Sequence, residues 1–207
     1  MKEKAYYLKR ALFHPFDAFY EIRFREKGSL ALATLILFAY GIVQCISRQY
    51  TGFIINTNNL AEMNSISVFI SSIMLVIIFT VANWTITTLF GGKGNMASIY
   101  TVITYSLVPY ILVKMIVVFL SNFIIEEEAM IIYMLEGIGI VWFVFLAFSG
   151  LCVIHEYGMF RNMASLLATA VSALLIVFLA VLFLTLEEKM FGFIGDILRE
   201  IMRRITL

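Results

Sequence analysis

Charge is what this chain has least of. Asp, Glu, Lys and Arg make up 14% of its 207 residues, against 62% hydrophobic. A soluble domain carries about 25% charged and about 45–50% apolar residues, so the composition excludes an ordinary soluble domain and marks an integral membrane protein. Proline is almost absent, only Pro15 and Pro109, and no Pro/Ser-rich linker, low-complexity tract or repeat appears. One domain over 1–207 is therefore the default. The net charge of +1 gives no basis for nucleic acid or another polyanionic partner.

Chemistry-bearing residues are equally sparse. The two histidines, His14 and His155, are far apart, and no H-E-x-x-H, Cys pair or Ser/His/Asp pattern exists. His155 and Glu156 are the one place where catalytic residue types adjoin, but adjacent helical residues point about 100° apart and form no dyad. The sequence assigns no catalytic residue, metal or cofactor. Cys45 and Cys152 fall near opposite ends of different apolar runs; they form no disulfide with each other and read as small apolar core residues.

Long apolar runs are what the chain does have. The expected spans are Ser29–Ser47, Ile66–Phe90, Ile99–Ser121, Ile131–Ile154 and Met163–Leu186, each long enough at 1.5 Å per residue to cross about 30 Å of hydrocarbon. The organising stretch is Asn83 to Pro109. It breaks one run at Gly91, Gly92 and Gly94 and re-enters the next, which predicts two antiparallel membrane helices around a tight turn. Gly91-Gly92-Lys93-Gly94 lacks the phosphate-loop spacing and follows a membrane helix rather than a strand. Asn83-Trp84-Thr85 is formally a glycosylation sequon but lies inside a span. Asn83 and Trp84 are expected near the inner interface, packing and hydrogen-bonding to a neighbouring helix.

Both ends read as amphipathic. Residues 1–27 interleave Tyr6, Tyr7, Leu8, Leu12, Phe13, Phe16, Phe19, Tyr20 and Phe24 with Lys2, Lys4, Lys9, Arg10, Arg23, Arg25 and Lys27. That suits helices on an anionic leaflet, or an arm packed on a partner protein; a mixed-charge segment this long is not expected to be a cleavable signal. Pro15 fits the first turn of a second short helix. The tail, 187–207, repeats an apolar face at Met190, Phe191, Ile194, Ile197, Leu198, Ile201, Met202 and Ile205 against Lys189, Asp196, Arg199, Glu200, Arg203 and Arg204. It is too charged to span and is expected at the interface. The fold class is thus an all-α membrane protein, with a five-helix region over 28–186 and interfacial amphipathic helices at both termini.

Basic residues set the orientation. With the N-terminus inside, nine Lys and Arg fall on the inner side and five on the outer side, with Lys114 inside a span. This predicts a cytoplasmic N-terminus and an extracytoplasmic C-terminus. Lys114 and Glu136 are ionisable residues within apolar runs, where charge is costly and is usually paired or functional. Counted from the same side their depths agree to within about 3 Å, which fits an interhelical ion pair. The other reading is a residue lining a substrate or ion path.

The segments FHPFDAFYEIRFREKGSL, RQYTGFIIN, NWTITTLFGGKGNMASIYTVITYSLVP and IHEY are spread over most of the chain. In these pieces and their order the sequence resembles the Yip family, specifically its bacterial branch. The resemblance implies a five-helix membrane domain with a cytosolic N-terminus. Eukaryotic relatives are non-enzymatic partners in vesicle traffic and membrane shaping; bacterial relatives with this pattern are commonly encoded beside carbohydrate ABC importer permeases. The implied function is a non-catalytic accessory subunit of such an importer in the bacterial plasma membrane, bracing or regulating the permease. Its partners would be membrane lipids and permease subunits, with a homo-oligomer allowed. The chain lacks the long cytosolic arm of eukaryotic relatives, which weighs against Rab binding. Two other classes stay open: a stand-alone transporter or lipid-handling protein using the Lys114/Glu136 region, and a membrane-organising protein working through its ends.

Overall fold

A computed structural model describes residues 2–25 and 27–205, with side chains for 7–25 and 27–204. The side chains of Lys2, Lys4 and Tyr6 in the N-terminal pattern, and of Ile205 in the tail, lie outside the described residues. Among the described residues all regular structure is helical. Seven α-helices follow one another: α1 (Lys2–Phe13), α2 (Pro15–Phe24), α3 (Leu30–Tyr50), α4 (Ser65–Leu89), α5 (Met96–Leu120), α6 (Ala129–His155) and α7 (Met159–Ile205). Helices α3 to α7 are long and apolar enough to cross a membrane; the chain is a multi-pass membrane protein.

Side-chain caps set several helix starts. Ser29, Asn64 and Asn95 each accept backbone N–H groups from the first turn of α3, α4 and α5, supplying acceptors to donors that have no partner within the helix. These caps place the starts of α4 and α5 one and three residues before the expected spans. Pro15 stands at the start of α2, where its missing N–H costs nothing.

The bundle is organised around α5, which packs on α3, α4 and α6 and is also touched by α1 and α2. Its buried residues mix apolar groups with Thr101, Thr104, Tyr105 and Ser106. The hydroxyls of Thr101, Thr104 and Ser106 donate to carbonyls one turn back, so they can be buried without stranded donors. Pro109 is also buried, inside the same helix. In contrast α7 packs chiefly on α4 and only slightly on α6.

The N-terminal helices differ from a pair lying only on a leaflet or on a partner. Ala11, Ala18, Phe19 and Ile22 are buried where α1 and α2 pack on each other and on α5 and α6. Gly150 of α6 leaves room for the Phe19 ring; a Cβ there would stand 3.0 Å from that ring and 2.4 Å from Val102. The Trp142 indole, midway along α6, donates to the Leu12 carbonyl at 3.4 Å and meets the Phe13 ring edge-on. The short α1–α2 hairpin therefore docks along the bundle wall, leaving Phe13, Phe16, Tyr20 and Phe24 exposed.

The tail also differs from a separate surface helix. It continues the fifth span without a break, as one 47-residue helix. Neither Gly192 nor Gly195 interrupts it, because a single helical glycine costs only about 1 kcal/mol relative to alanine.

Candidate functional site

The sequence stretch that organises the chain is also where its helices are tied together. Helix α4 ends at Leu89, and the turn to α5 passes through Gly91 at φ +66°, a left-handed backbone that glycine adopts without penalty. The turn then presses against α6: a Cβ on Gly94 would stand 2.7 Å from the His155 ring, and one on Gly92 2.7 Å from the Tyr157 hydroxyl. Two of the three glycines are thus required by close approach and one by its conformation.

His155 is buried at the end of α6. The Gly94 N–H donates to its Nδ1 at 3.3 Å, so the ring proton sits on Nε2 and points at Asn83 Oδ1, 3.1 Å away. The Asn83 amide in turn donates to Thr169 Oγ1 of α7 at 3.0 Å, and Thr169 donates to the Ser165 carbonyl at 2.8 Å. This directional chain links the α4–α5 turn, α6, α4 and α7, and Asn83, His155 and Thr169 are each at most 1% exposed. These bonds fix how the four segments pack; the Ser165 hydroxyl beside them is buried with no partner among the described residues.

A second layer closes the same end. Tyr157 stacks beside His155 with ring centroids 5.3 Å apart. Its hydroxyl donates toward the Thr87 and Phe90 carbonyls at 3.4 and 3.2 Å. Burial raises the Tyr157 phenol above its usual range, with the Arg161 charge opposing that shift; the hydroxyl stays a donor. Arg161 lies over the Tyr157 ring at 4.5 Å and donates to the Phe90 carbonyl, while Arg23 of α2 donates to the Lys93 carbonyl. Glu156, in a left-handed conformation just past α6, pairs with Lys93 at 2.6 Å. His155 and Glu156 therefore turn to different partners and share no proton.

Trp84 is unlike its neighbour. Asn83 points into the bundle, whereas Trp84 is 42% exposed on the outer surface. Lys114 of α5 and Glu136 of α6 meet as an ion pair, with side chains 14% and 29% exposed. Both lie within apolar spans, where pairing offsets much of the cost of burying charge. Met190, Phe191, Ile194, Ile197, Leu198 and Ile201 of the tail all remain exposed. Among the described residues no group of three or more His, Cys, Asp or Glu is placed to hold a metal ion.

The sequence alone did not reveal the link between His155 and Asn83, which are 72 residues apart. The signal available was the glycine spacing in the turn, which marks a close approach without naming what approaches.

This arrangement ties the α4–α5 turn, α4, α6 and α7 together. No curated protein and no solved structure matches the chain. The family model described as the Yip1 domain matches residues 9–182, a stretch that takes in the docked α1–α2 hairpin, the glycine turn and the His155 network, and the chain belongs to that family of generally non-enzymatic, membrane-associated proteins.

Proposed function

We propose that the chain is a non-catalytic accessory subunit of a bacterial carbohydrate ABC importer. It sits in the plasma membrane with its N-terminus in the cytoplasm and its C-terminus outside, and it braces or regulates the permease pair. The observation that carries the reading is the uneven covering of the five spans. The most apolar part of α7 is only 6% buried, while that of α5 is half buried. A domain of this kind holds itself together through α5 and presents α7 to whatever lies beside it in the membrane. Leu167, Val171, Leu174, Leu175 and Phe178 on that face are all more than half exposed and suit packing on another subunit's helices. The choice of a carbohydrate importer rests on the sequence segments that resemble the bacterial branch.

A membrane-organising role is the second reading, and the exposed aromatics of α1 and α2 favour it. Phe13, Phe16, Tyr20 and Phe24 lie on helices that also carry Arg10 and Arg23, with Arg25 just past the end of α2, a combination suited to headgroup depth on an anionic leaflet. Co-purification from the host membrane distinguishes the two. A stable complex with permease and ATPase subunits supports the accessory role. A chain that purifies alone and remodels anionic vesicles overturns it in favour of the second reading, and one that shows its own solute flux in liposomes overturns both.

A further inference from the structure

The tail keeps the rotational phase of the span. Asn162, Ser165 and Thr169 are the buried side of α7, and Thr169 meets Asn83 of α4. From Asn162 to Leu198, and from Ser165 to Ile201, is about ten full turns at 3.6 residues per turn; from Ile176 to Ile194 is about five. Because α7 is one unbroken helix, the tail's apolar stripe lies on the same side that packs on the bundle. Helix α4 runs antiparallel beside it and begins at Ser65, about level with residue 187. The remaining tail, about 28 Å long, stands past the end of the bundle with its apolar side turned toward the bundle's own axis. The family match covers residues 9–182, and this segment lies beyond it.

The bundle end below it is also uncovered. There the α3–α4 and α5–α6 connections expose Phe53 (90%), Leu60 (56%), Phe123 (72%) and Ile125 (57%). The same two connections carry Glu62, Glu126, Glu127 and Glu128 and no Lys or Arg. None of the four carboxylates forms an ion pair with the described residues. The tail beyond Glu188 has the opposite balance, Lys189, Arg199, Arg203 and Arg204 against Asp196 and Glu200. Among the described residues its ion pairs run locally along its own helix, Arg199 to Asp196 and Arg203 and Arg204 to Glu200, and such exposed pairs hold weakly.

The helix runs unbroken through Gly192 and Gly195 in the structure; we propose that in the membrane it bends at these glycines, so that the tail is a strap laid onto this end of its own chain. The stripe Ile194, Leu198 and Ile201 covers Phe53, Leu60 and Phe123, and the terminal arginines approach Glu126–Glu128. Phase decides the occupant. A bend away from the bundle turns the apolar stripe to water, and parallel copies in one membrane turn their stripes toward their own bundles rather than toward each other. Glycine is the residue at which a helix bends most cheaply, and a Cβ on Gly192 would meet nothing within 4 Å.

The test is a disulfide scan on the full chain in liposomes, with Cys45 and Cys152 changed to serine. Single cysteines at Ile194, Leu198 or Ile201 are paired with single cysteines at Phe53, Leu60 or Phe123, because a disulfide requires Cα atoms within about 7 Å. The expected result is intramolecular cross-linking in at least one pair. Changing Glu126, Glu127 and Glu128 to lysine should reduce the yield at least threefold, and adding Arg199→Glu, Arg203→Glu and Arg204→Glu should restore it. Mixing copies with tags of two sizes should give no cross-link between them. Cross-links only between copies, or none in any pair, overturn the strap. In the latter case water-soluble maleimide distinguishes a projecting tail, which it labels, from one buried in lipid, which it does not.

Discussion

Helices α5 and α7 both read as membrane spans, yet they solve different problems. Helix α5 is half buried in its own protein, and α7, the more apolar of the two, is almost uncovered. The difference lies in their polar residues. Helix α5 places Thr101, Thr104, Tyr105 and Ser106 in the interior, where neighbours or the preceding turn can satisfy them. In the membrane part of α7 the buried polar residues are Asn162, Ser165 and Thr169, all near its start, and most of the rest is exposed. Apolarity thus tells which segments tolerate lipid, while buried small polar residues tell which face protein.

The sharpest way to break this contrast is to crowd a packed site and an open one by the same atom. A Cβ on Gly52 would lie 1.9 Å from the Ser121 carbonyl oxygen at the end of α5, and the Gly52 N–H also bonds Ser121 Oγ at 2.8 Å. Gly52→Ala should therefore displace backbone and cost on the order of 3 kcal/mol or more, seen as a drop of several degrees in melting temperature in detergent. Gly192→Ala, in the open tail, should raise helix stability by up to about 1 kcal/mol.

Removing the polar tie between the two helices comes next. Asn83→Leu strands the His155 Nε2–H and removes the donor to Thr169, for an expected loss of about 1–3 kcal/mol. Thr169→Val should cost less, since it leaves the His155–Asn83 bond in place. Melting curves of both variants check the order; equal losses would mean that the His155–Asn83 bond adds nothing to the tie.

For Lys114 and Glu136, Lys114→Met or Glu136→Gln alone should destabilise by about 3 kcal/mol. The double variant should recover most of the loss because no charge is stranded. Additive losses in the double-variant cycle would contradict the pairing. A double variant that folds normally but loses host transport would assign the charges to a path instead. The smallest effect belongs to the exposed pair: Lys93→Ala should change stability by less than about 1 kcal/mol, because the two side chains are 63% and 38% exposed.

Much of this fold could be read from the residues. Gly91, Gly92 and Gly94 between two apolar runs predict the hairpin, and the five long helices overlap the five expected spans. The ends shifted where capping decides them, as at Asn95, or where the chain found further packing. Less legible were contacts between distant segments. Nothing in the spacing of Phe19 says that it lies in the gap left by Gly150, and nothing at His155 names Asn83. The tail shows the other limit. Its periodicity is helical, but whether it continues the span or leaves it depends on backbone continuity through Glu187 and Glu188, which periodicity does not report.

Helix α5 is half buried in its own protein and α7 almost uncovered, and the proposed accessory role puts a partner against α7. Photo-cross-linking in the native membrane tests it directly, with a photoreactive residue placed in turn at Leu167, Val171, Leu175 and Phe178 of α7 and at Val102 and Leu107 of α5. Cross-links are expected from α7 to an ABC permease subunit and from α5 only within the chain. Cross-links from the α7 positions to lipid alone, in cells where the importer is assembled, would contradict it.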